Sequence, residues 1–277
     1  NIVKAANSLI EKNQKRLEKV VWTDNDEGSK IKVNRLLTDG EEGRFVASSI
    51  FENKNSKQLQ NKDFAILYRT NAQSRAFEDS LRKRNIPYRV YGGLSFYQRK
   101  EIKDVLAYLR LIINENDEEA FKRVINFPTR GIGQTTINKL VIQANTLNKS
   151  LYSLCKELDR SEVNISSGIK LKVSNFINLI ESFKISSKTK NAFDIANEVV
   201  NDTGIIKTYS ALTSIEDQAK IQNIEEMLNG IKDFVEIQKE IPESTGSISE
   251  FLEDIALATD LDKDDQDTNT VALMTIH

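Results

Sequence analysis

The sequence contains only one histidine and one cysteine, which excludes several kinds of site. His277 is the last residue, so neither a Ser-His or Cys-His catalytic pair nor a histidine-metal cluster can be assembled within these 277 residues. Cys155 has no second cysteine for a disulfide, and its apolar helical surroundings favour core packing. Hydrolase and metalloenzyme functions within this chain are therefore disfavoured.

Nucleotide-binding motifs are also missing. The sequence has no G-x-x-x-x-G-K-[ST] loop, whose backbone would cradle phosphates, and no G-x-G-x-x-G after a predicted strand. We therefore expect no ATP hydrolysis by this chain alone.

Long apolar runs and targeting signals are absent as well. No stretch approaches the ~20 apolar residues of a membrane helix, and the first residues lack the pattern of a signal peptide. The sequence therefore predicts a cytoplasmic protein that contacts no membrane. It opens without methionine inside a helical pattern and stops in an apolar strand, as expected of a piece cut from a longer protein.

Charge is balanced overall but uneven along the chain. The net charge of −2 excludes the strongly basic character of a small histone-like protein. Between Arg69 and Arg110, however, ten Lys or Arg face four acids, whereas Glu253 to Asp267 holds seven acids and one Lys. The basic run is either a solvated surface or a local nucleic-acid patch, and both alternatives stay open.

The first third of the sequence alternates between strand and helix patterns, typical of a doubly wound parallel sheet. The apolar run 64–68 is typical of a strand buried on both faces. The predicted elements are a helix over 1–20, a strand over 31–37, a helix around 45–50, a strand over 64–68, a helix over 72–84 and a strand over 88–91.

From Phe96 to Leu261 nearly all apolar residues recur at helical spacing. An acidic loop follows, and 271–276 returns to a buried-strand pattern that we expect to rejoin the first sheet. The sequence therefore predicts an α/β fold in two domains. Residues 1–95 and 269–277 form the sheet domain, and a mainly helical domain over 96–268 is inserted in it.

One turn between two predicted helices has helix-hairpin-helix character. Gly131-Ile132-Gly133 allows a tight turn and close approach to another molecule, so a bulky residue at either glycine is expected to strain the backbone. Thr135 or Thr136 is predicted to cap a helix whose N–H groups favour a phosphate, and Arg130 adds positive charge. An ordinary helix–helix connection is the alternative.

A second polar cluster follows the buried strand 64–68. Arg69, Asn71, Gln73 and Arg75 come where open α/β sheets bind ligands, and their side chains suit the backbone and base edges of a single strand. Helix capping by Asn71 and solvation of the arginines are the alternative.

Three strings in this order resemble the UvrD/PcrA/Rep helicases of superfamily one: ILYRTNAQSR at 66–75, IPYRVYGGLSFYQRKEIKD at 86–104 and RGIG at 130–133. The string VALMTIH at 271–277 is similar to the opening of another motif of that family. The resemblance implies part of a RecA-like second motor domain with an inserted accessory domain.

The resemblance also implies roles for residues. Arg69, Asn71 and His277 match positions that contact single-stranded DNA, and Gly131-Ile132-Gly133 matches a loop that contacts duplex backbone. In the intact enzyme it implies 3′-to-5′ translocation with ATP and Mg²⁺, neither of which is bound by this fragment because the phosphate loop and the acidic Mg²⁺ motif are missing.

Two alternatives remain open at this point. A helicase-nuclease subunit of the RecB or AddA type is a close relative, although the short spacing from Tyr97 to Gly133 favours the simpler helicases. A motorless helix-hairpin-helix DNA-binding module belongs to another class. A phosphate loop upstream of Asn1 would exclude that module, whereas pathway and protein partners are not indicated.

Overall fold

The computed structural model describes residues 1–13, 20–160, 163–211, 214–261 and 269–275. These divide into two compact units, Asn1–Leu37 and the part of the chain from Thr38 onward.

The first unit consists of helix α1, Ile2–Ile10, and an extended segment. Asn7 joins them, because its side-chain amide donates to the carbonyl of Val21 at 2.7 Å and its oxygen accepts from the same residue's N–H. The prediction of a strand over 31–37 is wrong. That segment forms no strand and its side chains are exposed, and among the described residues no neighbouring strand offers it a ladder of hydrogen bonds.

The second unit contains three strands and a large set of helices. The strands are β1, Ala65–Tyr68; β2, Tyr88–Tyr91; and β3, Val271–Thr275. The helices are α2, Asp39–Lys57; α3, Ser74–Lys83; α4, Lys100–Ile113; α5, Glu118–Val124; α6, Gln134–Thr146; α7, Leu151–Lys156; α8, Ser167–Ser186; α9, Ala192–Asp202; α10, Ile205–Ser210; α11, Ile215–Gln238; and α12, Ile248–Leu261.

The last strand lies in the middle of the sheet. The order is β1-β3-β2 and both pairings are parallel. The N–H groups of Val271 and Ala272 donate to the carbonyls of Pro87 and Phe64, which brings the two outer strands into register with β3. The expectation that the final strand rejoins the first sheet is confirmed.

One face of this sheet is buried against α2 and α3. Alternate residues point to that face, so Ile66 and Tyr68 are buried, whereas Leu67 between them is 56 % exposed. The expectation that the 64–68 run is buried on both faces is therefore wrong, since the described residues cover only one side of it.

The helices from α4 to α12 share a second and larger core. Helix α4 lies at its centre and packs against α5, α8, α9, α11 and α12. Its residues Ile102, Val105 and Leu109 are wholly buried, because apolar positions recur three or four apart along nearly all of its length.

The chain is thus an α/β protein, mostly helical, with a small parallel sheet. The first 37 residues form a unit of their own, so the division into 1–95 with 269–277 and an inserted 96–268 stays a prediction.

Candidate nucleic-acid interface

The carboxyl ends of the three strands lie along one edge of the sheet. Tyr68 at the end of β1 pairs with Thr275 of β3, and Tyr91 at the end of β2 pairs with Met274. Because the strands are parallel, the segments that follow them leave from this edge, where open α/β sheets bind ligands. Residues 69–73 follow β1 and are called the strand-end loop below.

Gln73 fixes the shape of the strand-end loop. Its side-chain oxygen accepts hydrogen bonds from the backbone N–H groups of Arg69, at 2.9 Å, and Thr70, at 3.0 Å. The loop closes in a short 3₁₀ turn over Asn71–Gln73. The side-chain oxygen of Gln73 is therefore bonded within the loop itself, whereas the sequence predicts that Gln73 contacts DNA.

Arg69 and Asn71 both present exposed side chains on this loop. One supplies a guanidinium group, which pairs with phosphate oxygens in a bidentate manner, and the other an amide that donates and accepts. Their placement after β1 agrees with the strand-end expectation, and their contact with DNA stays a prediction.

The expectation that Arg75 contacts DNA needs a correction, because only 4 % of this residue is exposed. Its guanidinium donates from Nε to Glu226 at 2.8 Å, from Nη1 to Asp79 at 3.1 Å and from Nη2 to Asp39 at 2.6 Å. Burial opposes its charge, but the nearby carboxylates of Asp79 and Glu226 raise the pKa of Arg75 above its usual value. Arg75 is a buried cation that joins helices and does not reach the surface.

The turn over residues 125–133, called the hairpin turn below, connects α5 to α6. The side-chain oxygen of Asn126 accepts from the N–H groups of Arg130, at 2.9 Å, and Ile132, at 3.0 Å. Ile132 is wholly buried in the helical core. The middle residue of Gly-Ile-Gly is thus an anchor, and the two glycines are exposed on either side of it.

Arg130 makes its contacts within and next to the same turn. Its Nη1 donates to the carbonyls of Val124 and Pro128 at 3.0 and 3.2 Å, and its Nη2 donates to the hydroxyl of Tyr108 at 2.7 Å. The guanidinium lies 5.2 Å from the ring centroid of Phe176. These contacts hold the hairpin turn together, and Arg130 stays half-buried, so its contact with DNA stays a prediction.

The two glycines differ in backbone conformation. Gly131 has φ of +73°, which L-residues rarely adopt. Gly133 has φ of −74° and ψ of 161°, which any residue adopts, and a Cβ there would meet no atom within 4 Å. The expectation that both positions strain a larger residue is right for Gly131 and wrong for Gly133.

Helix α6 begins without a side-chain cap, since Gly133 occupies the N-cap position. The expected capping by Thr135 or Thr136 is therefore wrong. Within the described ranges, the backbone N–H groups of Gln134 and Thr135 have no acceptor, as is usual at the start of a helix. These groups and the exposed hydroxyl of Thr135 remain on the surface beside Gly133.

The sequence matches, over residues 1–277, the profile described as the UvrD-like helicase C-terminal domain. The chain belongs to the UvrD-like helicases. Three similar proteins are each named ATP-dependent DNA helicase PcrA: those of Leuconostoc citreum and Staphylococcus aureus strain Mu50 are 37 % identical, and that of Staphylococcus epidermidis is 36 % identical. Each alignment covers 100 % of this chain and 37 % of the relative, so the chain spans little more than a third of their length.

This UvrD-like chain presents two separate groups of predicted site residues. Arg69 and Asn71 are exposed at the sheet edge, and Gly131, Gly133 and Thr135 are exposed at the hairpin turn. Thr136, at the same turn, is half-buried and therefore less accessible than these three. The remaining predicted residue, His277, lies outside the described residues.

Lys172 of α8 was missed by sequence reasoning. A Cβ built on Gly131 would lie 2.6 Å from its ammonium nitrogen, so this exposed cation is next to the hairpin turn. No local signal could have identified it, because only the packing of α8 brings it there. Lys139 of α6 donates to the carbonyl of Asn164 at 3.2 Å.

In the parts of this UvrD-like chain that the structure describes, no group of three His, Cys, Asp or Glu side chains could hold a metal ion. In the same ranges no helix is long and apolar enough to cross a bilayer.

Proposed function

We propose that this chain is the DNA-gripping part of an ATP-dependent 3′-to-5′ DNA helicase, with the strand-end loop holding single-stranded DNA. The supporting observation is the match to the UvrD-like helicase C-terminal domain over all 277 residues, with ATP-dependent DNA helicases as the similar proteins. The exposure of Arg69 and Asn71 beyond β1 gives that function a surface. Such a surface grips the backbone without choosing a sequence.

The hairpin turn is proposed to hold duplex DNA. Its exposed glycines let a phosphate approach the backbone closely, the free N–H groups at the start of α6 favour an anion, and Lys172 adds positive charge. This assignment makes the turn, with α5 and α6, a helix-hairpin-helix element. In this proposal Arg130 acts by holding the turn.

ATP with Mg²⁺ is the expected energy source of the intact protein. The described residues do not fit that role, since they include neither a phosphate-binding loop nor an acidic cluster for a metal. The proposed contribution of this chain is therefore DNA binding, while nucleotide chemistry belongs to other parts of the intact helicase.

The test is the substitution Arg69→Ala in the full-length protein. Removing one charged phosphate contact should weaken binding of a fluorescein-labelled oligo(dT) by about 1 kcal/mol, roughly fivefold, and make the affinity less dependent on salt. Fluorescence anisotropy titrations at two salt concentrations measure both effects.

Lys62→Ala is the matched control, because Lys62 is an exposed cation just before β1, at the opposite edge of the sheet. It should leave the affinity unchanged. Equal affinities for Arg69→Ala and the parent protein would remove the strand-end loop from the DNA surface.

A further inference from the structure

Two polar connections run from helix α11 to the strand-end loop. They start from Asn223 and Glu226, which lie three positions apart on one face of α11. The 3₁₀ turn that closes the loop packs against α11, and so does α3, which begins directly after the loop. The loop and α11 lie far apart in sequence.

The first connection is a chain of hydrogen bonds to the loop backbone. Arg99 donates from Nη1 to the side-chain oxygen of Asn223 at 3.0 Å and from Nη2 to the hydroxyl of Ser74 at 2.8 Å. That hydroxyl in turn donates to the carbonyl of Asn71 at 3.0 Å. Arg99, Ser74 and Asn223 are all buried, so water does not compete for these bonds.

The second connection runs through Arg75 in the first turn of α3. Glu226 accepts from its Nε at 2.8 Å. Gly230, one turn further along α11, provides the space for the guanidinium: a Cβ there would lie 2.5 Å from Nη1 of Arg75. The start of α3 is therefore held against one particular face of α11, and the strand-end loop immediately before α3 is held with it.

We propose that Asn223 and Glu226 are positioning residues for single-stranded DNA binding, acting on Arg69 and Asn71 through Ser74 and Arg75. Neither touches DNA in this proposal. The inference rests on the proposed function and deepens it, because it makes the grip of the strand-end loop depend on a helix that follows it by more than a hundred residues.

If the α11 residues only stabilised the fold, their substitution would have the same effect on DNA affinity whether or not Arg69 is present. The test is therefore a double-mutant cycle. Glu226→Gln is made in the full-length protein with Arg69 intact and again with Arg69→Ala. The glutamine replaces the charged acceptor of Arg75 Nε by a weaker neutral one and so loosens the hold on α3, while Asp39 and Asp79 still neutralise the buried cation, so the fold should be retained. Anisotropy titrations with labelled oligo(dT) give the four affinities.

With Arg69 present, Glu226→Gln should weaken binding about fivefold, and in the Arg69→Ala protein its effect should be clearly smaller, because only Asn71 is then left to be positioned. The control is Glu225→Gln, which removes the same charge from an exposed neighbouring position and should change nothing in either background.

Two further variants keep the test decisive if Glu226→Gln does not fold. Gly230→Ala pushes Arg75 aside without changing any charge, and Asn223→Ala removes the acceptor for Arg99. Each is combined with Arg69→Ala in the same way, and thermal melting confirms that each variant is folded.

The outcomes separate the two proposals. If Arg69→Ala weakens binding but every α11 variant costs the same factor in both backgrounds, or costs nothing, the positioning role is overturned and the DNA surface stands. If Arg69→Ala itself has no effect, the proposed single-strand site is overturned, and the positioning role with it.

Discussion

At the scale of single residues, Gly131 and Gly133 lie in one turn but differ in how far the fold depends on a glycine there. The first needs its left-handed backbone, whereas the second has an ordinary conformation and open space around it. A substitution at Gly131 should therefore destabilise the fold, whereas Gly133 can be changed with little effect on stability.

We expect Gly131→Ala to lower the free energy of unfolding by about 1 kcal/mol, because an alanine is strained at positive φ. Gly133→Ala should change it by less than about 0.5 kcal/mol, since the poorer N-cap offsets the entropy removed from the unfolded chain. Urea unfolding followed by circular dichroism measures both. Equal losses for the two variants would contradict the difference in backbone conformation.

Arginines show where sequence reasoning reaches its limit at this scale. Arg69 and Arg75 occupy one short polar segment, and nothing local distinguishes them, yet one is exposed and the other is enclosed by three carboxylates. Two of those carboxylates, on Asp39 and Glu226, belong to other helices. A side chain's partners across the fold decide whether it faces solvent, and one sequence does not contain that information.

At the scale of elements, regular patterns were predictable and isolated segments were not. The spacing of apolar residues identified α4, and the strand pattern at 271–276 correctly placed β3 in the first sheet. Residues 31–37 have the same kind of pattern, but the part of the chain that the structure describes offers them no partner strand. Strand propensity expresses a fit to a neighbouring strand, so it fails where none is present.

Helix α7 carries the only cysteine, and the packing of this helix predicts how slowly the thiol reacts. Cys155 is 2 % exposed, and burial raises the pKa of its thiol to about 12. Because the thiolate is the reactive form, the thiol should react with iodoacetamide at pH 8 at least about a hundredfold more slowly in native buffer than in 8 M urea.

Mass spectrometry of samples quenched over time measures these rates on the 277-residue chain, and free cysteine in each buffer corrects for the reagent. Similar rates in native buffer and in urea would show that α7 is not packed into the helical core.

At the scale of the whole molecule, the two proposed DNA surfaces should serve different activities, so that a change in one surface impairs one activity and spares the other. Gly133→Val places a bulky group on the open face of the hairpin turn without backbone strain. In the full-length protein it should reduce duplex unwinding at least about fivefold, as expected from losing one close phosphate contact. Single-strand-stimulated ATP hydrolysis should stay within about twofold, because it depends on the strand-end loop.

The same substitution at Gly28, another exposed glycine with open space around it, serves as the control and should leave both activities unchanged. If Gly133→Val reduces both activities equally or neither, the hairpin turn is only a structural connection.

The central position of β3 determines when these three strands can come together during synthesis. Among the described strands β1 and β2 do not pair with each other, and their shared partner β3 follows both of them in the chain. The side-chain amide of Asn61 donates to the carbonyl of Asn269 across 208 positions. A ribosome therefore releases every helix from α2 to α12 before the sheet can close. Contacts this distant in sequence are slow to form. A helical core that folds first brings the two outer strands together, and until β3 is made the edges of β1 and β2 that will face it lack this partner strand and are open to association with other chains.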